Sequence, residues 1–162
     1  MYATFRSGKF LSAKFKRCGM LNGVMIALKA NEIEAANRAE VTALLIRCGY
    51  RVYRPEADVY GEDLVIRTPE GHLIPVQLKG RLSVDFVRYG GRSPAMWMLF
   101  PDQPYKQDIR RDWFLVPHDR LFDLLKSKHG HSAKWRDIWN VRTVSRDQRA
   151  FLDQWKLSTL NG

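Results

Sequence analysis

The feature that most constrains the fold is a pair of strand-like segments joined by a short turn. Residues 63–68 read DLVIRT, residues 72–80 read HLIPVQLKG, and the tripeptide PEG lies between them. Both segments are rich in aliphatic and β-branched residues, whereas Pro and Gly favour tight turns. The sequence therefore predicts an antiparallel β-hairpin near the middle of the chain.

A helix is predicted immediately upstream of the hairpin region, from Glu32 to Cys48. Asn31 and Glu34 have the spacing of a capping box, in which each side chain bonds an amide of the first helical turn. Gly49 is a suitable stop, because glycine readily adopts the left-handed conformation that ends many helices.

Further segments complete an alternation of helices and strands. Residues 81–94 are expected to be an extended arm and loop. Asp119 is expected to cap a helix over 118–128. Ser145 and Gln148 have the spacing of a second capping box, which predicts a last helix that ends near Lys156. This order predicts a single α/β domain with one sheet flanked by helices. The predicted strands outside the hairpin are 50–55, 95–100 and 113–117.

The charge of the chain is unevenly distributed. The formal net charge is +10, and residues 1–31 contain six Lys and Arg residues but no Asp or Glu. A positive field of this kind attracts polyanions. We expect residues 1–30 to be a basic N-terminal extension and residues 31–162 to be the folded domain. Three roles stay open for the extension: a nucleic-acid arm, an organelle targeting peptide, or a segment without function.

Composition excludes several classes of protein. No uncharged apolar run reaches the roughly 18 residues that span a membrane, and hydrophobic residues make up 45% of the chain, too many for a disordered protein. No signal peptide is expected, because the apolar stretch after the basic segment lacks a small-residue cleavage site. Cys18 and Cys48 form no CxxC pair, so we expect reduced thiols in a cytoplasmic protein.

The hairpin carries polar side chains in a pattern typical of a hard-cation site. Residues i and i+2 of a strand share a face, so Gln77 and Lys79 are expected to project together while Val76 and Leu78 face the core. The Asp63 carboxylate, the Gln77 carboxamide oxygen and the Leu78 backbone carbonyl are all ligands that Mg²⁺ accepts. Such an ion would polarise a phosphate, and Lys79 beside it can orient a water or neutralise growing negative charge.

Glu40 on the predicted helix is a further candidate. Its neighbours at i−4, i+3 and i+4 are Ala36, Ala43 and Leu44, so it is expected on an apolar stripe. A carboxylate is costly to bury there unless it is paired or coordinated. A metal site beneath the helix would explain it, with Glu40 holding a second ion or a bridging water. The alternative is an ion pair with an arginine such as Arg47.

Residues 34–81 resemble the core of PD-(D/E)XK nucleases, particularly archaeal-type Holliday junction resolvases and group I intron homing endonucleases of this fold. The family pattern is a helix Glu, an Asp at a strand start after a glycine-containing loop, and (D/E)xK on the next strand. Glu40, Asp63 and Gln77–Lys79 stand at these positions. The resemblance implies a three-layer fold with a mixed central sheet. It also implies Mg²⁺- or Mn²⁺-dependent hydrolysis of DNA phosphodiesters by an endonuclease that is expected to be a homodimer.

Gln77 departs from the family pattern, which has Asp or Glu at this position. The substitution removes one negative charge, so weaker metal binding is expected, although a QxK variant is tolerated in some active members. This departure puts catalysis in question more than the fold.

Basic residues follow Lys79 directly and are interleaved with Phe86 and Tyr89. They are candidates for contacts with a nucleic-acid phosphate backbone beside the site, and an ordinary basic loop is the alternative. The candidates are Arg81, Arg88 and Arg92.

Other interpretations of the same residues stay open. Asp63 can cap a turn, and Gln77 with Lys79 can belong to a solvated strand face, so a nuclease fold that binds nucleic acid without cutting it is the second hypothesis. A purely structural partner of another protein is the third. Trp135 and Trp139 are expected to pack in the core. Alternative acidic ligands beside Asp63 are Glu56, Asp58 and Glu62.

Overall fold

The computed structural model describes residues 20–21, 24–25, 27–57, 60–106 and 109–158. Most of the predicted basic extension therefore lies outside the described residues. The elements in chain order are β1 (Met20–Leu21), β2 (Val24–Met25), α1 (Ala30–Arg47), β3 (Arg51–Tyr53), β4 (Leu64–Arg67), β5 (Leu73–Leu78), β6 (Leu82–Asp85), α2 (Phe86–Tyr89), β7 (Trp97–Pro101), β8 (Trp113–Pro117), α3 (His118–His129), β9 (Ile138–Val141), α4 (Arg146–Leu152) and a 3₁₀ helix at Asp153–Trp155.

The central sheet has five strands in the order β3-β4-β5-β7-β8. The predicted hairpin is confirmed: β4 and β5 pair antiparallel, with Leu64 opposite Val76 and Arg67 opposite Leu73. Strands β5 and β7 are parallel, whereas the other neighbours are antiparallel. The sheet is therefore mixed, and the predicted α/β class is confirmed.

Both faces of this sheet are buried, which gives three layers. On one face, Val41 and Leu45 of α1 pack with Val76 and Leu99. On the other face, α3, α4 and the separate two-stranded sheet β6-β9 cover residues such as Met98. Since neighbouring residues of a strand point to opposite faces, Gln77 belongs to the side away from α1. This alternation fixes where the candidate site can open.

The start of α1 differs from the prediction. The helix begins at Ala30, and the Glu32 carboxylate accepts a hydrogen bond of 2.6 Å from the Lys29 amide. Glu34 instead pairs with Arg38 one turn later, at 2.9 Å. Glu32 and Glu34 are both acidic residues near the helix start, and Glu32 is the one that bonds the N-cap amide.

The predicted stop of α1 is confirmed at Gly49, which has a φ of +87°. Its amide bonds the Ile46 carbonyl, and the Tyr50 amide bonds the Leu45 carbonyl, both at 3.0 Å. These two bonds form a Schellman motif, which satisfies carbonyls left open at the helix end.

Three other predictions need correction. Residues 81–94 contain β6 and α2 instead of only an arm and loop. Asp119 lies inside the first turn of α3, where its carboxylate accepts hydrogen bonds from the Gly91 amide. The last helix ends at Leu152 and continues as a 3₁₀ turn, although its capping box of Ser145 and Gln148 is confirmed.

The described helices include none that is long and apolar enough to cross a membrane. Cys48 is a free thiol, and burial raises its pKa, a shift that neighbouring Arg47 opposes. Trp135 and Trp139 pack against the core on the α3 side with ring centroids 5.7 Å apart, as predicted, although Trp139 lies in a strand.

Candidate active site

Asp63 stands directly before β4, and backbone pairing fixes its position against β5. Its own amide donates to the Val76 carbonyl at 2.9 Å. Its carboxylate accepts a 2.8 Å hydrogen bond from the Leu78 amide and a second hydrogen bond from the Gln77 side-chain amide. The carboxylate is therefore held over the last residues of β5.

Gln77 is buried at 6% exposure, and its carboxamide is bonded at both ends. Nε2 donates to Asp63, and Oε1 accepts a 2.8 Å hydrogen bond from the Tyr89 hydroxyl. Tyr89 comes from α2 and is almost completely buried. A buried amide needs such partners, because unsatisfied polar groups are costly away from water. Gln77 is thus fixed between the hairpin and α2.

Three cationic side chains lie around the Tyr89 ring. The Lys79 ammonium lies 5.6 Å from the ring centroid, and the guanidinium carbons of Arg88 and Arg92 lie at 5.3 and 5.9 Å. These distances suit cation–π interaction. Gln77 in β5 and Lys79 just after it both reach Tyr89, so their side chains lie on the same side, as the alternation predicted. The structure thus gathers positive charge beside the Asp63 carboxylate.

Gly61 allows the loop before Asp63 to approach Tyr89. Its φ is +86°, a conformation that side-chain-bearing residues rarely adopt. A Cβ at this position would lie 2.9 Å from Tyr89 Cε1, closer than van der Waals contact permits. The Tyr60 carbonyl next to it accepts a hydrogen bond from Arg92. Only glycine fits both the backbone conformation and the available space.

The donor set suits a hard cation with few protein ligands. Among the described residues there is no cluster of three His, Cys, Asp or Glu side chains that could hold a metal. Mg²⁺, however, is commonly bound through one or two carboxylates together with several waters. Asp63, the Leu78 carbonyl and a Gln77 oxygen are hard oxygen donors. A half-turn of the carboxamide would direct the Gln77 oxygen toward Asp63, and the Tyr89 hydroxyl can accept as well as donate.

Lys79 also lines a concave surface that we call the basic cleft, with a volume of about 660 Å³. All charged side chains that line it are positive. The cleft begins where β5 ends and continues over β6 and β9, so it is contiguous with the candidate site. Its lining residues are Lys79, Gly80, Arg81, Ser83, Pro104, Asn140 and Arg142.

Glu40 has different neighbours from those expected of a metal ligand. Its carboxylate accepts hydrogen bonds from the Arg111 guanidinium and, at 2.8 Å, from the Trp113 indole. Both partners lie on the α1 side of the sheet, whereas Gln77 faces the other side. The observation behind the metal interpretation, a carboxylate on an apolar helix face, is thus explained by an ion pair with Arg111 instead of Arg47.

The surface around Glu40 is a second cleft of about 590 Å³, which we call the Glu40 cleft. The buried face of α1 is also shifted from the predicted stripe: Asn37, Val41 and Leu45 are buried, and Glu40 stands at the edge. Alanines occur on several faces of α1, so the sequence did not define the stripe. The lining residues of the Glu40 cleft are Glu40, Leu44, Arg47, Arg110, Arg111, Asp112, Trp113, Lys156, Leu157 and Ser158.

Two residues near the end of β5 were missed as site candidates. The Asn37 amide nitrogen lies 3.6 Å from the position of a Cβ on Gly80, and the Asn37 side-chain oxygen is buried without a hydrogen-bond partner among the described residues. The Tyr89 hydroxyl binds Gln77 twelve positions away. No local pattern signals either contact, because both depend on the tertiary fold.

Comparisons with known proteins add little to this geometry. No protein-family model matches the sequence, and no curated protein matches it significantly. Among solved structures, the chain is similar to a bacterial homing endonuclease, I-Ssp6803I, at 16% sequence identity and a TM-score of 0.46. The alignment covers 79% of this chain and 86% of that chain. Similarity of this size carries no argument about function.

Proposed function

We propose that this chain is a divalent-metal-dependent DNA endonuclease with a PD-(D/E)XK-type site of the QxK variant. The observation that carries the proposal is the convergence of Asp63, Gln77 and Lys79 beside a cleft whose charged lining residues are all cations. A carboxylate with neighbouring oxygen donors suits a metal ion, and surrounding positive charge suits a phosphodiester substrate.

Each side chain has a separate role in this proposal. Asp63, the Gln77 oxygen and the Leu78 carbonyl would hold Mg²⁺, with Mn²⁺ as a substitute. When bound, such an ion supplies polarisation of the scissile phosphate and a lowered pKa for the attacking water. Lys79 orients that water or stabilises charge growing on the phosphoryl oxygens. After a half-turn of the Gln77 carboxamide, the Tyr89 hydroxyl would accept a hydrogen bond from Nε2 and hold the oxygen toward the metal ion.

The arginines next to the site would bind the DNA backbone. Arg88 and Arg92 extend the positive surface around Tyr89, and Arg81 lines the basic cleft beside Lys79. Phosphate contacts of this kind position a nucleic acid without reading its sequence. Simultaneous cleavage of both strands of a duplex needs two copies of the site, so we also propose a homodimer, which sedimentation of the protein with and without DNA would test.

The second candidate function is DNA binding without cleavage. Both ends of the Gln77 carboxamide already have protein partners, Asp63 and Tyr89. Asp63 is the one carboxylate among the proposed metal ligands, where the resembled family has two, so a metal ion would be held more weakly. In this alternative the same positive surface binds DNA, and the polar residues only stabilise the hairpin.

Plasmid cleavage in Mg²⁺ or Mn²⁺ separates the two functions. The wild type is expected to cut, and Asp63→Ala and Lys79→Ala are each expected to lower the rate by more than about 100-fold, since metal and electrostatic stabilisation contribute several kcal/mol. Asp123→Ala and Lys134→Ala, exposed residues elsewhere, are matched controls that should retain activity. Salt-sensitive binding by a wild type that cuts in neither metal would establish the second function.

Gln77→Glu tests the ligand role of Gln77 without an activity measurement. The substitution restores the second carboxylate of the family pattern, so the affinity for Mg²⁺ is expected to rise. Two adjacent carboxylates repel each other in the absence of metal, so Mg²⁺ should raise the melting temperature of the variant more than that of the wild type. An equal metal response in both proteins would contradict the ligand role.

A further inference from the structure

The outer surface of the two-stranded sheet β6-β9 carries polar and basic residues in register. Ser83 pairs with Asn140 and Leu82 pairs with Val141 in the antiparallel ladder. Leu82 and Val84 are buried in the core on the α3 side, so the intervening residues point outward. Ser83 and Asn140 accordingly line the basic cleft.

The same register continues beyond the ends of the two strands. Arg81 precedes Leu82, and Arg142 follows Val141, so the two arginines stand opposite each other where the ladder ends. Both are exposed, and both line the basic cleft. Within the described part of the chain, neither forms an ion pair with a carboxylate.

Two arginines facing each other across a ladder repel, and like charges in that position destabilise a sheet. An anion between them would remove this cost by neutralising both charges. Ser83 and Asn140 supply neutral hydrogen-bonding groups beside them. The surface therefore has the chemistry of a phosphate-binding surface, with charge from the two arginines and hydrogen bonds from the cross-strand pair.

The position of this surface next to Lys79 favours a nucleic-acid backbone as its ligand. The basic cleft includes Lys79, and only Gly80 separates Lys79 from Arg81. A phosphodiester chain placed at Asp63 and Lys79 would therefore continue directly over Ser83 and Asn140. Nucleic-acid strands carry regularly repeated charges, so the positive cleft complements a run of phosphates.

We propose that the outer face of β6-β9 is a binding track for the DNA backbone that flanks the scissile phosphate, with Arg142, Asn140 and Ser83 as phosphate contacts in addition to Arg81. This inference rests on the proposed function, because it places the substrate at Asp63 and Lys79. The arginines near Tyr89 would bind the other side of the same strand. The track ends at Asp85, whose carboxylate caps α2 by accepting a hydrogen bond from the Arg88 amide.

The test is the salt dependence of binding between the full-length protein and a labelled DNA duplex, with Ca²⁺ replacing Mg²⁺ to prevent cleavage. Affinity falls as salt rises, and the steepness of this fall is the magnitude of the slope of log K against log salt. For each phosphate that a variant no longer neutralises, this magnitude is expected to decrease by about 0.9 between about 50 and 200 mM KCl. Arg142→Gln should therefore lower this magnitude by about 0.9, and Arg81→Gln combined with Arg142→Gln by about 1.8.

Arg120→Gln is the matched control, because Arg120 is exposed on α3 and carries the same charge change away from both clefts. Its slope should stay near that of the wild type. Without DNA, the double variant should melt at the same or a higher temperature than the wild type, since the repulsion between the two arginines is gone. A folding defect is therefore not expected to obscure the result.

Binding and cleavage together distinguish the possible failures. If the wild type cuts plasmid in Mg²⁺ but the double variant keeps the full salt slope, the track is wrong and the nuclease proposal stands. If the wild type never cuts but the double variant has the lower slope, the track stands and the nuclease proposal fails. Equal reductions of slope for Arg120→Gln and Arg142→Gln would also overturn the track, because net charge alone would then explain the binding.

Discussion

Charged side chains line both the basic cleft and the Glu40 cleft, but only the Glu40 cleft contains charges of both signs. In the Glu40 cleft, Glu40 binds Arg111, and Asp112 binds Lys156 at 3.0 Å. The basic cleft has no acidic residue among the described residues that line it. A charge with an opposite partner in the same chain stabilises the fold, whereas a group of like charges is stabilised by an external ion. The difference supports a structural role for the paired residues of the Glu40 cleft, in which Arg47 and Arg110 form no ion pair with a described carboxylate, and it supports the proposed ligand-binding role of the basic cleft.

Glu40→Gln tests this division most directly, because it removes the counter-ion of a buried cation. The Arg111 side chain is only 1% exposed, so removal of the Glu40 charge leaves a buried guanidinium without its counter-ion. Breaking a fully buried pair costs about 3–5 kcal/mol; the expected loss here is about 2 kcal/mol, because Glu40 is 36% exposed and glutamine still accepts a hydrogen bond. Denaturant unfolding measures the loss.

Cleavage by Glu40→Gln, assayed well below its melting temperature, should stay within a few-fold of the wild-type rate, in contrast to Asp63→Ala. Glu34→Gln is the control on the same helix, since Glu34 is exposed and pairs with Arg38 on the surface; it should cost less than about 0.5 kcal/mol. Unchanged stability combined with a rate loss as large as that of Asp63→Ala would return Glu40 to the catalytic site and break the comparison.

Gly61→Ala sharpens the comparison on the side of the candidate site. Gly49 and Gly61 have almost the same positive φ, +87° and +86°, so alanine costs each about 1–2 kcal/mol of backbone strain. A Cβ on Gly49 lies 3.6 Å from its nearest neighbour, whereas one on Gly61 lies 2.9 Å from the Tyr89 ring. Gly61→Ala should therefore unfold at lower denaturant than Gly49→Ala.

Gly61→Ala should also weaken Mg²⁺ binding, because displacement of Tyr89 releases Gln77. Gly49→Ala should leave metal binding unchanged, since Gly49 ends α1 next to Pro69. If the two variants had equal stability and equal affinity for metal, the close approach of Gly61 to Tyr89 would have no role in the site.

Tyr89→Phe removes only the hydroxyl that binds Gln77. Loss of a group that orients a metal ligand commonly lowers metal affinity about 10-fold or more. The Mg²⁺ concentration for half-maximal cleavage should rise by about that factor, whereas the rate at saturating Mg²⁺ should change little. Tyr53→Phe, at an exposed tyrosine, is the control. A lower saturating rate with an unchanged metal requirement would assign Tyr89 to substrate binding instead.

The sequence predicted the hairpin and the shared face of Gln77 and Lys79 because both depend on local alternation and turn chemistry. It did not predict the partners of Glu40, since Arg111 is 71 positions away and is brought to α1 only by the packing of β8. The Arg81–Arg142 pair was missed for the same reason: β9 was not predicted, and cross-strand partners are set by register. Local patterns thus determined elements, and long-range pairing determined which charges are neutralised.

Asp112→Asn gives the smallest expected effect and tests the paired side of the comparison by pH. Burial raises the pKa of the Asp112 carboxyl, but hydrogen bonds and charge attraction from Lys156 and Arg149 outweigh burial and leave the pKa below its ordinary value of 3.8. A carboxyl with a lowered folded-state pKa stabilises the protein above its ordinary pKa, and this contribution is lost as pH falls through the folded-state pKa.

At neutral pH, Asp112→Asn should therefore be less stable than the wild type by about 0.5 kcal/mol, the size of a solvent-screened ion pair. The two proteins should converge in stability as the pH falls below 3.8 and then through the lower folded-state pKa of the Asp112 carboxyl. Urea unfolding across this pH range measures the difference. A stability difference that persists unchanged in acid would mean that Asp112 stabilises the protein through packing. The ion pairs of the Glu40 cleft would then contribute less to stability than their geometry indicates.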